Sequence, residues 1–174
     1  MHDDVRRTLE AWTHDDPEQL RLRDAYLAHL RAHDDGVWRS CAAGHITAST
    51  LIMDASRAQV LLTLHPKVGR WLQLGGHIEP DDASLRAAAL REAVEESGID
   101  VVTMSASPLR LDRHPVPCGG AMNEHLDVQF LGLVPSGSRA VMSAESDDLR
   151  WFDVAALPDV DASVRALVVD ALRA

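Results

Sequence analysis

Glu92, Glu95 and Glu96 place three carboxylates within five positions of the segment LQLGGHIEPDDASLRAAALREAVEESGI, residues 72–99. Such crowding either makes a wet acidic face or holds a cation. On a helix, Glu92 pairs with Glu96 at i,i+4 and with Glu95 at i,i+3, and each like-charge pair costs about 0.2–0.5 kcal/mol. Arg91, four residues before Glu95, offsets part of that cost. Glu95 and Glu96 also fall in the last turns, where the helix dipole disfavours acids. The neighbouring Leu85, Ala88 and Ala89 are apolar, so this face is not simply wet. A divalent cation relieves both penalties. Mg²⁺ and Mn²⁺ prefer oxygen ligands and are commonly held by carboxylates together with substrate phosphates.

These residues need a helix to position them and a turn to feed it. The pattern predicts a helix over residues 83–97, closed by Gly98. At about 100° per residue, Ala83, Ala87, Leu90 and Val94 form one apolar stripe, the expected core face, with the glutamates on the far side. Before the helix, residues 71–74 read as a short strand ending at Gly75-Gly76. Asp81-Asp82 then supplies either an N-cap or a further acidic site residue.

The spacing Gly76-x5-Asp82-x8-Arg91-Glu92-Ala93-x-Glu95-Glu96-x-Gly98-Ile99 resembles the Nudix box. The second half matches at every fixed position. The first half departs: Asp82 stands where the family has Glu, and one extra residue precedes Arg91. The resemblance covers about residues 40–172, because ESDDLRWF, residues 145–152, is similar to a late segment of Nudix domains. It implies an α+β fold, a Nudix-like α/β/α sandwich with a mixed β-sheet. The N-terminal helices lie outside it, which divides the chain into a helical extension at 1–36 and a Nudix hydrolase domain at 37–174.

The implied activity is divalent-metal-dependent hydrolysis of a phosphoanhydride in a nucleoside diphosphate derivative, a nucleotide sugar such as ADP-ribose or a nucleoside triphosphate. The implied cofactor is Mg²⁺ or Mn²⁺. By resemblance, Glu92 and Glu96 are the leading metal ligands, Glu95 a third ligand or the base, and the Gly75 carbonyl a further ligand. Arg91 orients Glu95 through a salt bridge. Gly75 and Gly76 let the backbone approach the metal or the phosphate. Two other readings stay open: a Nudix-fold isopentenyl-diphosphate isomerase, which needs a catalytic cysteine and a histidine-rich metal site, and a non-catalytic nucleotide sensor.

Outside the box, Glu145 is the candidate base, or a surface carboxylate in a polar loop. Lys67 and Arg70 either meet phosphate or sit in a solvated hairpin loop. His77 approaches the metal or is a plain loop histidine. His125, Asp127 and Gln129 alternate along a strand opposite Leu126, Val128 and Phe130. Their face is either solvent or the wall of a substrate pocket. Trp38, Trp71 and Trp151 read as core, and Cys118 as a loop thiol.

The remaining elements frame this set. Val5, Leu9 and Trp12 mark a first helix. Asp16-Pro17-Glu18-Gln19 reads as an N-cap, a first-turn proline and a capping box for a second, with Leu20, Tyr26, Leu27 and Leu30 inward. Residues 45–53 and 59–64 form a hairpin. Residues 109–114, 126–134 and 149–152 are strand candidates, with Pro115 and Pro117 as interruptions and Cys118-Gly119-Gly120 as a loop. A last helix at 160–172 turns Val164, Leu167, Val168 and Leu172 inward. The order gives a mixed sheet flanked by helices.

Net charge is −10, from 17 Lys+Arg against 27 Asp+Glu. That argues against nucleic acid and anionic membranes as general partners, since both are polyanions. A small phosphorylated substrate held by a metal remains compatible. Two cysteines are too few for a disulfide framework. MHDDVRRTLE carries no apolar stretch of a secretory signal, and no run reaches the ~20 apolar residues of a membrane span. The expected location is the cytoplasm. The N-terminal helices either cover the sheet or pair two subunits as a homodimer.

Overall fold

The computed structural model describes residues 1–66, 68–118, 121–143 and 146–174, with the backbone alone at 117, 118 and 121. Lys67 and Glu145 lie outside the described residues, as does the side chain of Cys118. The chain order is α1 (His2–Ala11), α2 (Pro17–Ala32), β1 (His45–Asp54), β2 (Gln59–His65), β3 (Arg70–Leu72), β4 (Leu74–His77), α3 (Leu85–Ser97), β5 (Thr103–Met104), β6 (Arg110–Cys118), β7 (Ala121–Val134), β8 (Asp148–Asp153) and α4 (Ala162–Arg173).

The eight strands described form one mixed sheet. Its centre is the parallel pair β1–β7, in register from His45 opposite His125 to Asp54 opposite Val134. The other pairings are antiparallel: β2 and β4 share one side of β1, and β5 and β6 the far side of β7.

Strand alternation sorts the two faces. Ile46 and Ala48 of β1, with Leu126, Val128 and Phe130 of β7, share a core with α1, α2 and the Leu85, Ala88 and Ala89 side of α3. Leu51, Met53 and Leu131 point the other way and pack under Val164, Leu167, Val168 and Ala171 of α4. The result is a helix/sheet/helix sandwich. No described helix is long and apolar enough to cross a membrane.

Several sequence expectations change. Pro115 and Pro117 do not interrupt β6, which runs through both. Among the described residues β6 pairs only with β7, and an edge strand tolerates residues that cannot donate a ladder hydrogen bond. β4 does not end at the glycines but continues through Gly75 and Gly76 to His77. In α4, Ala171 is buried and Leu172 is exposed. Asp16 does cap α2, accepting from the Glu18 N–H, but Gln19 closes no capping box. Its buried amide spans to β6, with Nε2 donating to the Leu111 carbonyl at 3.0 Å and Oε1 accepting from the Leu111 N–H at 2.7 Å.

Candidate active site

α3 begins at Leu85, not at residue 83, and its N-cap is Ser84, whose hydroxyl accepts from the Ala87 N–H at 3.1 Å. Neither Asp81 nor Asp82 caps it. The expected core stripe is also displaced. Leu85, Ala88, Ala89 and Ala93 are buried, whereas Ala83 is exposed and Ala87, Leu90 and Val94 are half-buried. Alanines on the buried side let α3 sit close to the sheet, and this brings Glu92 and Glu96 against β4.

Two glycines receive those carboxylates. A Cβ on Gly76 would meet the carboxylate atoms of Glu92 at 2.8–2.9 Å, so a side chain there would have to displace that carboxylate. The Gly75 N–H donates to Glu96 Oε2 at 3.2 Å. Gly75 has φ 155°, and a Cβ on it would lie 2.4 Å from the Ser49 Cβ and 2.5 Å from its Cα. Glu92 and Glu96 thus end at adjacent residues of β4. Glu95, with 58% of its side chain exposed, stands outside them and accepts from Arg91 at 3.1 Å.

Arg91 is the hub of the cluster. Its Nε and one terminal nitrogen grip both oxygens of Asp82 at 3.0 Å each. That terminal nitrogen also donates to the His77 carbonyl at 2.9 Å, and the other reaches Glu92 at 2.9 Å and Glu95 at 3.1 Å. Asp82 additionally accepts from the Glu79 N–H at 2.8 Å. Burial pushes the Asp82 carboxyl upward, but the Arg91 hydrogen bonds and the Glu79 N–H outweigh it and leave it below its ordinary value. Hydrogen bonding to Asp82, against the opposing effect of burial, raises the Arg91 guanidinium further above its already high value. Asp82 therefore anchors the arginine that aligns the glutamates.

The other face of β4 carries a polar floor. His45, Thr47 and Ser49 of β1 lie in register with His125, Asp127 and Gln129 of β7. Asp127 and Gln129 are buried and His125 is half-buried, so this stripe is not a solvent face. The Asp127 carboxylate accepts from Thr47 Oγ1 at 2.9 Å, Ser49 Oγ at 2.6 Å, Gln129 Nε2 at 3.2 Å and Gln73 Nε2 at 3.3 Å. Burial pushes this carboxyl up despite the hydroxyl donors. Burial lowers the His45 imidazole and, with the charges of neighbouring histidines, brings His125 down to about 3. His114 goes the other way, raised by its 2.7 Å hydrogen bond to Asp112.

Arg70 is not drawn into either cluster. It is exposed on β3 and lines a separate hollow of about 450 Å³ with Leu64, Trp71, Asp159 and Asp161.

A family model described as the NUDIX domain matches residues 43–172. The chain belongs to the Nudix family. It is a Nudix-type pyrophosphohydrolase, and its mixed sheet with flanking helices is the Nudix fold. No curated protein matches the chain. Among solved structures, a NUDIX-family hydrolase from Clostridium perfringens is 24% identical, covering 74% of this chain and 96% of that one, with TM-score 0.59. An Ap4A hydrolase from C. elegans is 18% identical, covering 74% and 95%, with TM-score 0.58. The NUDIX domain of Shewanella oneidensis NrtR, complexed with ADP ribose, is 18% identical, covering 84% and 96%, with TM-score 0.60.

Two features of this Nudix site escaped sequence reasoning. One is Asp82 as the Arg91 anchor, a contact made by the loop before the helix. The other is His45. The run HITASTLIMD carries the same polar alternation as HLDVQF, and laying the two side by side would have exposed it.

Proposed function

We propose that the protein hydrolyses a phosphoanhydride bond in a nucleoside diphosphate derivative, using Mg²⁺ or Mn²⁺ held by Glu92 and Glu96. The observation that carries this reading is the convergence of both carboxylates on Gly75 and Gly76, where any side chain at 76 would collide with Glu92. Oxygen donors gathered against open backbone suit a hard divalent cation. When bound, such an ion neutralises the pyrophosphate, polarises a phosphorus–oxygen bond and lowers the pKa of a bound water.

The chain's own groups divide the remaining work. Glu95, the most exposed of the three, is placed to take the proton of the attacking water or to complete the metal shell. Arg91 holds Glu92 and Glu95 in position, and its other nitrogens are spent on Asp82 and His77, so it acts as a positioning residue. The Gly75 carbonyl adds a further oxygen donor. His77, His125 and Asp127, on the far side of β4, line the floor beneath the organic part of the substrate. Lys67 is assigned to phosphate contact and Glu145 to an alternative base, whereas Arg70, set apart in its own hollow, is not assigned a part in the reaction. The Ap4A hydrolase and the ADP-ribose-bound domain share this fold, and they support nucleotide-derived substrates as the class.

The test is incubation with Mg²⁺ or Mn²⁺ and a panel of nucleoside triphosphates, sugar nucleotides, dinucleoside polyphosphates and isopentenyl diphosphate, with products followed by phosphorus NMR. Phosphoanhydride cleavage is expected in the wild type, with a drop of two orders of magnitude or more, about 3 kcal/mol of barrier, in Glu96→Gln. Equal turnover by the mutant sinks the metal assignment. An isomerised product without phosphate release sinks hydrolysis.

A further inference from the structure

The polar floor holds a histidine cluster on the sheet face opposite Glu92 and Glu96. His45, His77 and His125 come from three adjacent strands, and their ring nitrogens lie within 4.8 Å of one another. The His45 and His77 rings stack at 5.1 Å, and His125 stands edge-on to both at 4.8 and 5.2 Å. His45 is fully buried, yet neither of its ring nitrogens has a hydrogen-bond partner, and His125 Nε2 is likewise buried and unpartnered. Buried polar nitrogens without partners cost about 1–3 kcal/mol each, so these imidazoles call for a ligand that takes lone pairs.

We propose that His45, His77 and His125 form a second metal site, separate from the carboxylate helix, that binds a borderline divalent transition ion, Zn²⁺, through three imidazole nitrogens. Ligand class separates the two sites: imidazole suits Zn²⁺, whereas carboxylate and carbonyl oxygens suit Mg²⁺ and Mn²⁺. Position separates them too. Gly76 faces Glu92, whereas Gly75 faces Ser49, and alternation puts His77 on the Ser49 side. A tetrahedral ion with nitrogen ligands at about 2.0–2.1 Å needs those nitrogens about 3.3–3.4 Å apart. The triangle therefore closes by side-chain rotation of little more than an ångström. Asp112 and Asp127 occupy the neighbouring row of the sheet and supply negative charge beside the cation. Three protein ligands leave a fourth position for water or an anionic oxygen of a ligand.

The test uses the full chain, stripped with a chelator and titrated with Co²⁺ as a coloured substitute for Zn²⁺. One equivalent is expected to give the intense visible bands of a tetrahedral site. Zn²⁺ is expected to displace it and excess Mg²⁺ to leave it in place. The double variant Glu92→Gln/Glu96→Gln should keep the bands. His125→Asn should weaken binding by at least about a hundredfold, since even second-layer partners of metal ligands are worth about 10–100-fold. Because a histidine variant can fail to fold, the wild type carries an independent readout by nitrogen-15 NMR. Zn²⁺ should shift the ring nitrogens of His45, His77 and His125 and leave those of His2 and His65 unmoved. Absence of bands in the wild type overturns the site. So does their persistence in folded His125→Asn, their loss in the glutamate variant, or a shift confined to other histidines. A catalytically dead protein that still binds Co²⁺ at the histidines would refute the hydrolase assignment alone.

Discussion

Asp82 and Arg91 set the precision of the site. The carboxylate is 5% exposed and grips the guanidinium with both oxygens, while the same guanidinium holds Glu92 and Glu95. Asp82→Asn breaks the charge pairing but keeps the shape, so activity should fall about 10–100-fold, the usual cost of removing a group that orients metal ligands. Stability should fall by about 1–3 kcal/mol at neutral pH. The folded-state pKa of Asp82 is depressed, so its contribution is fully present above the unfolded value of about 3.9 and is lost as pH falls through the lower folded value. Melting temperatures of wild type and Asp82→Asn measured from pH 7 to pH 3 should therefore differ most at neutrality and draw together below pH 4. A gap that stays constant contradicts the assigned ionisation. The roles of the glutamates come from the resemblance to the Nudix box, whereas their clustering with Arg91 was readable from spacing, because i,i+3 and i,i+4 relations need no tertiary information. The anchoring role of Asp82 was not, because it depends on how a loop folds back across nine residues.

α3 and β4 position each other through small residues. Helical spacing alone points to Ala83, Ala87, Leu90 and Val94 as the core stripe, whereas the buried side carries Leu85, Ala88, Ala89 and Ala93. Close approach to the sheet selected the alanine side, and the glutamates came with it. The strand was misjudged for a related reason. Gly75-Gly76 reads as a chain break, yet here the glycines stay in the ladder, opposite Ser49 and Ala48, because bare backbone is what the carboxylates need. Substitutions at the two should separate stability from function. Gly75→Ala puts a methyl into the Ser49 backbone at a strained φ, and should cost about 1–3 kcal/mol of unfolding free energy. Gly76→Ala meets only the movable end of Glu92, so it should cost under about 1 kcal/mol and yet lower kcat at least tenfold by displacing that ligand. Urea unfolding and steady-state kinetics on both variants check this. A Gly76→Ala enzyme with wild-type kcat removes Glu92 from the metal shell.

At the scale of the whole molecule, α1 and α2 are built into the same core as the sheet. Val5, Leu9, Tyr26, Leu27 and Leu30 pack with Ile46, Leu126, Val128 and Phe130. Three polar ties join that apolar contact. Trp12 Nε1 donates to the Pro108 carbonyl at 2.7 Å, the Tyr26 hydroxyl to the Asp112 carbonyl at 2.7 Å, and Gln19 satisfies both backbone groups of Leu111. Asp4 of α1 accepts the Leu85 N–H at 2.8 Å, which places an acid from the extension at the N-terminus of α3. The amphipathic pattern made both helices legible, but which surface they cover was not, since apolar stripes carry no address. Gln19 supplies one, because an amide in a β6-facing position matches one residue's N–H and C=O together. Gln19→Ala should strand those two buried groups at about 1–3 kcal/mol each, for a total loss of about 2–6 kcal/mol in urea unfolding. If the extension and the sheet share one core, tryptophan fluorescence and far-UV circular dichroism should still report a single coincident transition at the lower midpoint. Two separated transitions, with activity surviving the first, would mean that the helices are an appendage to a sheet that folds without them.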